Sequence, residues 1–236
     1  MKQLVLHIGT HKTGSTSFQK SMRKNADALV SLGVRPILSP VFQNGKRVSG
    51  KRANHVHFLH LVLRPEVLSG ARFRGEVPVL SDQQRRRQLD RLAQRLADFE
   101  DETLLLSAEG LCFLRNADEQ ALLRRFLKGV GREVRTMVVF RNEADWRTRW
   151  ENQLIKEGGG FYEIVRAEPD DVSILGDWYF DKREIQEFWS PFGLCQINYE
   201  AHPNIVEALY SEIGLPPGQL QTDIFKNPGR QKATPE

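Results

Sequence analysis

Apolar residues follow two rhythms along this chain. Short, mainly apolar runs occur at residues 3–8, 34–38, 103–107, 134–140 and 194–198, and runs of that length fit strands buried on both faces of a parallel sheet. Between them the apolar positions recur at helical spacing. Ser15 to Leu32 carries Phe18, Met22, Ala26, Leu29 and Val30, and Asp82 to Phe99 carries Leu89, Leu92, Ala93, Leu96 and Ala97. Each set makes one apolar stripe on a helix. Similar stretches at 54–63, 118–130, 143–156, 182–189 and 203–213 predict further helices. Gly33 stands where a C-cap glycine closes the first of them, and Pro65 stops the stretch that begins at Asn54. Alternating strands and helices predict an α/β fold, three-layer α/β/α with a mainly parallel sheet. One domain over 1–236 is expected, with a loosely ordered tail from about 215. Val41 to Arg52, with Gly45, Gly50 and several basic residues, reads as an exposed loop, 64–80 as irregular, and Gly158 to Gly160 as a hinge.

Composition narrows the class. The chain is 40% hydrophobic and 27% charged, and no apolar run reaches the ~20 residues of a membrane span. Its first residues run straight into a strand without the pattern of a leader, so a cytoplasmic protein is expected. Cys112 and Cys195 lie far apart without companion ligands, which argues against a disulfide framework or a cysteine metal site. His57 and His60 share one face of the predicted helix but lack carboxylate or histidine neighbours, so no metal is expected. A net charge of +4 suits an anionic ligand or simple basicity. Arg85, Arg86 and Arg87 sit among Asp82, Asp90 and Asp98 without interleaved aromatics, which reads as a solvated helix face and not a nucleic-acid footprint.

The chemistry concentrates after the first strand. Gly9 to Gly14 has the spacing of a nucleotide-binding phosphate loop, but Ser15 and Thr16 follow where Lys-Ser/Thr should stand. The lysine lies two residues early, at Lys12. There it can approach the oxygen bridging two acid groups and stabilise charge developing on a leaving phosphate. Thr13, Gly14, Ser15 and Thr16 open a helix, where backbone N–H groups attract an anion or hydroxyls simply cap. Later strands deliver Ser107 and Glu109, and then Arg141, to the carboxyl edge of the sheet, where ligands lie in open parallel folds.

The stretch Lys12-Thr13-Gly14-Ser15-Thr16 resembles the 5′-phosphosulfate-binding loop of sulfotransferases that use 3′-phosphoadenosine 5′-phosphosulfate (PAPS). That family's second signature, an arginine closing an apolar strand, is matched by Val138-Val139-Phe140-Arg141. The serine eight residues on is replaced by Arg149, with Thr148 beside it. Weaker likenesses to bacterial carbohydrate-type members lie at Asn54-His55, Ser107-Ala108-Glu109, Asn152 to Gly158, and Trp189 with Phe192-Gly193. The resemblance implies a P-loop NTPase-like fold and a PAPS-dependent sulfotransferase acting, without a metal, on a hydroxyl or amine of a glycan or small molecule.

Carried onto this sequence, the resemblance makes Lys12 the charge stabiliser, with His11, Lys12, Thr13, Gly14, Ser15, Thr16, Arg141 and Arg149 around the nucleotide. Glu109 is the first choice for the acceptor base and His55 the second, the first needing a raised pKa and the second titrating in range unaided. His7, inside its strand, is expected to be a satisfied core histidine. Arg230 and Lys232 in the tail are further basic candidates for the nucleotide. Two other readings stay open: a small-molecule kinase or other nucleoside triphosphate enzyme with a degenerate loop, and a non-enzymatic nucleotide-binding module.

Overall fold

The computed structural model describes residues 2–43, 46–78 and 80–223, with the backbone alone over 40–51. Its strands are β1 (Gln3–His7), β2 (Val34–Pro36), β3 (Ser39–Gln43), β4 (Lys46–Arg52), β5 (Thr103–Ser107), β6 (Glu133–Phe140) and β7 (Leu194–Asn198). The helices are α1 (Ser15–Lys24), α2 (Ala26–Ser31), α3 (Val56–Val62), α4 (Gly70–Phe73), α5 (Asp82–Ala97), α6 (Ala117–Val130), α7 (Glu143–Glu157), α8 (Phe161–Ala167), α9 (Asp177–Phe180), α10 (Lys182–Trp189) and α11 (Ile205–Glu212). Five strands form one parallel sheet in the order β2-β5-β1-β6-β7. This is the expected α/β fold.

Both faces of the sheet are covered, and the strand period of two sorts the core. Leu4, Leu6, Leu104, Leu106, Val138 and Phe140 pack on one side with α3, α5, α6, α7, α8 and α10. Val5, Leu105, Met137 and Val139 pack on the other with α1, α2 and α11. Alternate residues of one strand serve opposite layers, which is why both alternating sets of these strands are mainly apolar. From β1 the chain leaves toward β2, and from the adjacent β6 it leaves the opposite way toward β7. Such a divergence opens a crevice at the carboxyl ends of the two strands.

Several expectations need correction. The stretch 15–32 is two helices, broken at Asn25, whose side chain turns back on Ser21 and also bonds the carbonyl of Gln221. Val30 faces out, 36% exposed. The supposed loop 41–52 is an antiparallel β3-β4 hairpin, and the irregular segment 64–80 contains α4. Arg85 is not merely solvated: its guanidinium donates to the carbonyls of Leu61 and Leu63 and closes the C-terminus of α3. The tail is fastened at its start. Leu215 and Leu220 are buried, and Gln221 bonds Asn25 and Ser21 through its backbone. Arg230 and Lys232 lie outside the described residues. Among the described residues no helix is long and apolar enough to cross a membrane.

Candidate functional site

The loop after β1 is held in shape by its own hydroxyls. Thr10 Oγ1 donates to the carbonyl of Val139 on β6 at 2.7 Å. The Thr10 carbonyl then accepts from Thr13 Oγ1 at 2.6 Å and Ser15 Oγ at 3.3 Å. Thr13 and Ser15 are buried, so what they can offer an anion is backbone N–H, while Thr16 is exposed in the crevice. Gly14 turns the chain into α1 with φ 88°, and a β-carbon there would come 2.5 Å from Ile205 Cγ2. Only glycine satisfies both conditions. The N-terminus of α1 has no side-chain cap and no acidic residue in its first turn, which leaves its N–H groups and partial positive charge for a ligand.

Lys12 is the one non-glycine residue with positive φ, 67°, among those described. Its ammonium donates to Gln153 Oε1 on α7 at 3.2 Å. Burial lowers its pKa, Glu109 opposes that shift, and Lys156, Arg149 and Arg141 reinforce it. His11 is wedged 4.0 Å from the Trp150 ring and 5.2 Å from Phe113, centroid to centroid, with Nδ1 2.5 Å from the Tyr179 hydroxyl. Burial, with Lys12 adding, drives its pKa down to about 3, so neutral His11 braces the loop against the aromatic layer.

Glu109 follows β5 beside Gly9, whose hypothetical β-carbon would lie 3.5 Å from Glu109 Cγ. Burial raises its carboxyl pKa to about 7, with Lys12 pulling down and Glu157 pushing up. That range suits a proton acceptor near neutrality. His55 is different. Its Nε2 contacts the Ile37 carbonyl at 2.9 Å, it is buried, and burial holds its pKa near 4. It starts α3 on the far side of the wall formed by Asn54 and Val56, which do line the crevice. This placement keeps the His55 ring out of the cavity that Lys12 and Glu109 line. His7 is only half satisfied: Nδ1 meets Ser107 Oγ at 2.9 Å, and the buried Nε2 has no partner among the described residues.

Arg141, at the end of β6, is buried and donates from Nη1 to the Lys12 carbonyl at 2.8 Å. Its guanidinium lies 3.8 Å over the Tyr199 ring and 3.3 Å from Asp145. Arg149 reaches the same carboxylate from the next turn of α7 at 2.9 Å. Two arginines therefore share one acid at the mouth of the loop. Thr148 bonds the Ala144 carbonyl within its own helix. A cavity of about 1200 Å³ takes in His11, Lys12, Gly14, Ser15, Thr16, Glu109, Arg141 and Arg149. Thr13 and His55 stand behind its surface. His57 contacts Gln88 and His60 contacts Ser69, and no metal-holding group occurs among the described residues.

Residues that the loop motif could not name also line this cavity. Tyr199 and His202 come from the turn after β7, and Gln153, Glu157 and Arg74 from its far end. A helical reading of 145, 149, 153 and 157 would have shown that these positions share one face of α7 with the arginine.

No family model matches the chain, and no curated protein sequence matches it. Among solved structures it is similar to the crystal structure of a sulfotransferase from Alicyclobacillus acidocaldarius, with a TM-score of 0.53 and 12% identity, over 97% of this chain and 87% of that chain. At that identity the likeness is one of fold, and the fold is sulfotransferase-like.

Proposed function

We propose that this protein is a PAPS-dependent sulfotransferase that moves a sulfuryl group to a hydroxyl, or an amine, of a small-molecule or glycan acceptor. The observation that carries this reading is that Lys12, on a loop forced into positive φ, shares one cavity with Glu109, whose pKa lies near 7. The residues fit the nucleotide. An uncapped helix start offers N–H groups for the 5′-phosphate, and Arg141 after β6 and Arg149 on α7, both beside Asp145, offer guanidinium groups to the 3′-phosphate. The donor, when bound, supplies a sulfuryl group on a phosphate leaving group. Lys12 would stabilise the charge on the bridging oxygen as the S–O bond to phosphate breaks. Glu109 would take the proton of the acceptor as its oxygen or nitrogen bonds to sulfur. No step calls for a metal.

Ligand-dependent thermal unfolding tests the reading. Binding to the folded state raises the midpoint by mass action, so 3′-phosphoadenosine 5′-phosphate should raise it in the presence of EDTA. A rise with MgATP alone would point instead to a nucleoside triphosphate enzyme. A rise with the bisphosphate, but no transfer from PAPS to a panel of hydroxyl and amine compounds, would leave a nucleotide-binding module.

A further inference from the structure

Helix α7 crosses the whole cavity and presents a row at i, i+4 spacing: Asp145, Arg149, Gln153 and Glu157. Trp146, Trp150 and Leu154, each one residue further on, are buried beside this row. At 1.5 Å rise per residue the row spans about 18 Å, in steps of about 6 Å. One end lies at Arg141 and the nucleotide anchors. The other ends on an ion pair, Glu157 to Arg74 Nη1 at 3.2 Å, with Arg74 Nε also bonded to Glu76 at 2.8 Å. Lys12 meets the row in the middle, on Gln153.

The Gln153 amide has a different neighbour on each side. Oε1 accepts from the Lys12 ammonium at 3.2 Å, and Nε2 faces Glu157 Oε1 at 3.5 Å. An ammonium has only donors and a carboxylate only acceptors. Flipping the amide would set donor against donor and acceptor against acceptor, so the two charged neighbours together choose one orientation. A cation and an anion thereby fix the group that holds Lys12.

We propose that Gln153 is the positioning residue for Lys12, and that Glu157, itself held by Arg74, orients the Gln153 amide so that its oxygen faces the ammonium. This inference rests on the sulfotransferase reading for the meaning of Lys12, and adds that the Glu157 end of α7 sets where the lysine stands. Glu109 after β5, Arg141 after β6, and Arg149 and Lys156 on α7 are the other charged groups acting on Lys12. None of them forms a hydrogen bond to its ammonium among the described residues.

The test follows the lysine itself and needs no acceptor. The pH dependence of Lys12 acetylation by acetic anhydride, read by peptide mass spectrometry, gives its titration midpoint in the folded full chain. Compared with wild type, Gln153→Met keeps the length but removes the acceptor and lowers the midpoint by about half a unit to one unit. Gln153→Glu places a carboxylate there and raises it by a similar amount. Glu157→Gln frees the amide to turn and lowers the midpoint in the same direction as Gln153→Met. Far-UV circular dichroism and the unfolding midpoint confirm that each variant is folded.

A Lys12 midpoint unchanged in both Gln153 variants overturns the role of Gln153, and one unchanged in Glu157→Gln overturns the role of Glu157. Protection of Lys12 from acetylation by 3′-phosphoadenosine 5′-phosphate in the wild type reports on the underlying reading independently. If protection is absent while the variants shift as stated, the sulfotransferase assignment fails and the positioning of Lys12 stands.

Discussion

Arg141 Nη1 donates to the carbonyl oxygen of Lys12 across 2.8 Å, so a side chain from the end of β6 fixes the backbone of the loop that follows β1. The same guanidinium rests on Tyr199 and is balanced by Asp145. Lysine in its place keeps a charge but loses the planar fork and the stack. Arg141→Lys is expected to lower stability by about 1 to 2 kcal/mol and to weaken binding of 3′-phosphoadenosine 5′-phosphate by about tenfold. Chemical denaturation and titration calorimetry measure the two separately, and unchanged values for both would remove Arg141 from the loop and from the nucleotide site.

Lys12 sits at φ 67°, a conformation that an L-residue holds at about 1 kcal/mol and glycine adopts freely. Lys12→Gly should therefore be more stable than Lys12→Ala by about 1 kcal/mol, while both abolish transfer from PAPS and keep part of the nucleotide affinity. Equal unfolding midpoints would show that the backbone there is unstrained. Near-normal turnover in either variant refutes charge stabilisation by Lys12.

Gly14→Ala meets two obstacles, a φ of 88° and an approach of 2.5 Å to Ile205 Cγ2. Together they are expected to remove about 2 to 3 kcal/mol. Adding Ile205→Ala relieves the contact and leaves the backbone strain. The double variant should thus recover part of what Gly14→Ala loses when each is compared with its own parent in urea. Strict additivity would mean that the two sites do not touch.

Glu109 and the buried histidines give stability opposite slopes in pH. Glu109 has a folded pKa of about 7, above the ordinary carboxyl value of 4.5, so the fold favours its protonated form. Its contribution is fully present below about 4.5 and is lost as pH rises through 7. Glu109→Gln is therefore expected to stabilise the protein relative to wild type at pH 8 more than at pH 5. Transfer by the wild type should rise through pH 7 as the base ionises. A Glu109→Gln effect on the unfolding midpoint that is independent of pH would contradict the raised pKa.

His7, His55 and His60 have folded values of about 4, below the ordinary imidazole value of 6.5, and are held neutral by burial. Their contribution is present above 6.5 and is lost as pH falls from there through 4. Unfolding midpoints in urea at pH 7, 5.5 and 4.5 should show a decline, and His55→Gln should flatten part of it. A decline equally steep in His55→Gln would mean that His55 titrates normally in the fold.

The strands and most helices were legible because burial on two faces leaves runs such as Leu104-Leu105-Leu106 without a polar residue. Lys12, Glu109 and Arg141 could be placed at one edge because each follows such a run. What escaped notice depends on partners distant in sequence. The break at Asn25 is sealed by Gln221, and nothing within 15–32 announces it. The hairpin 39–52 lacks the alternation that marks a half-buried pair of strands. His55 has a pKa in the useful range as a free residue, and only its seat against the Ile37 carbonyl takes it out of the cavity. Gln153 is an ordinary helix residue until Lys12 and Glu157 flank it.

The first strand of the chain is the middle strand of the sheet, flanked by β5 a hundred residues on and by β6 beyond that. Its contacts are therefore remote in sequence, which slows folding, because loops must close before those contacts form. A nascent chain that ends before Glu133 has made β1 but cannot pair its second edge. Val139, which anchors Thr10, and Arg141, which clasps Lys12, are also still missing. The loop after β1 takes its final shape only once Val139 and Arg141 have been synthesised, so a product that stops before them lacks both clasps of that loop.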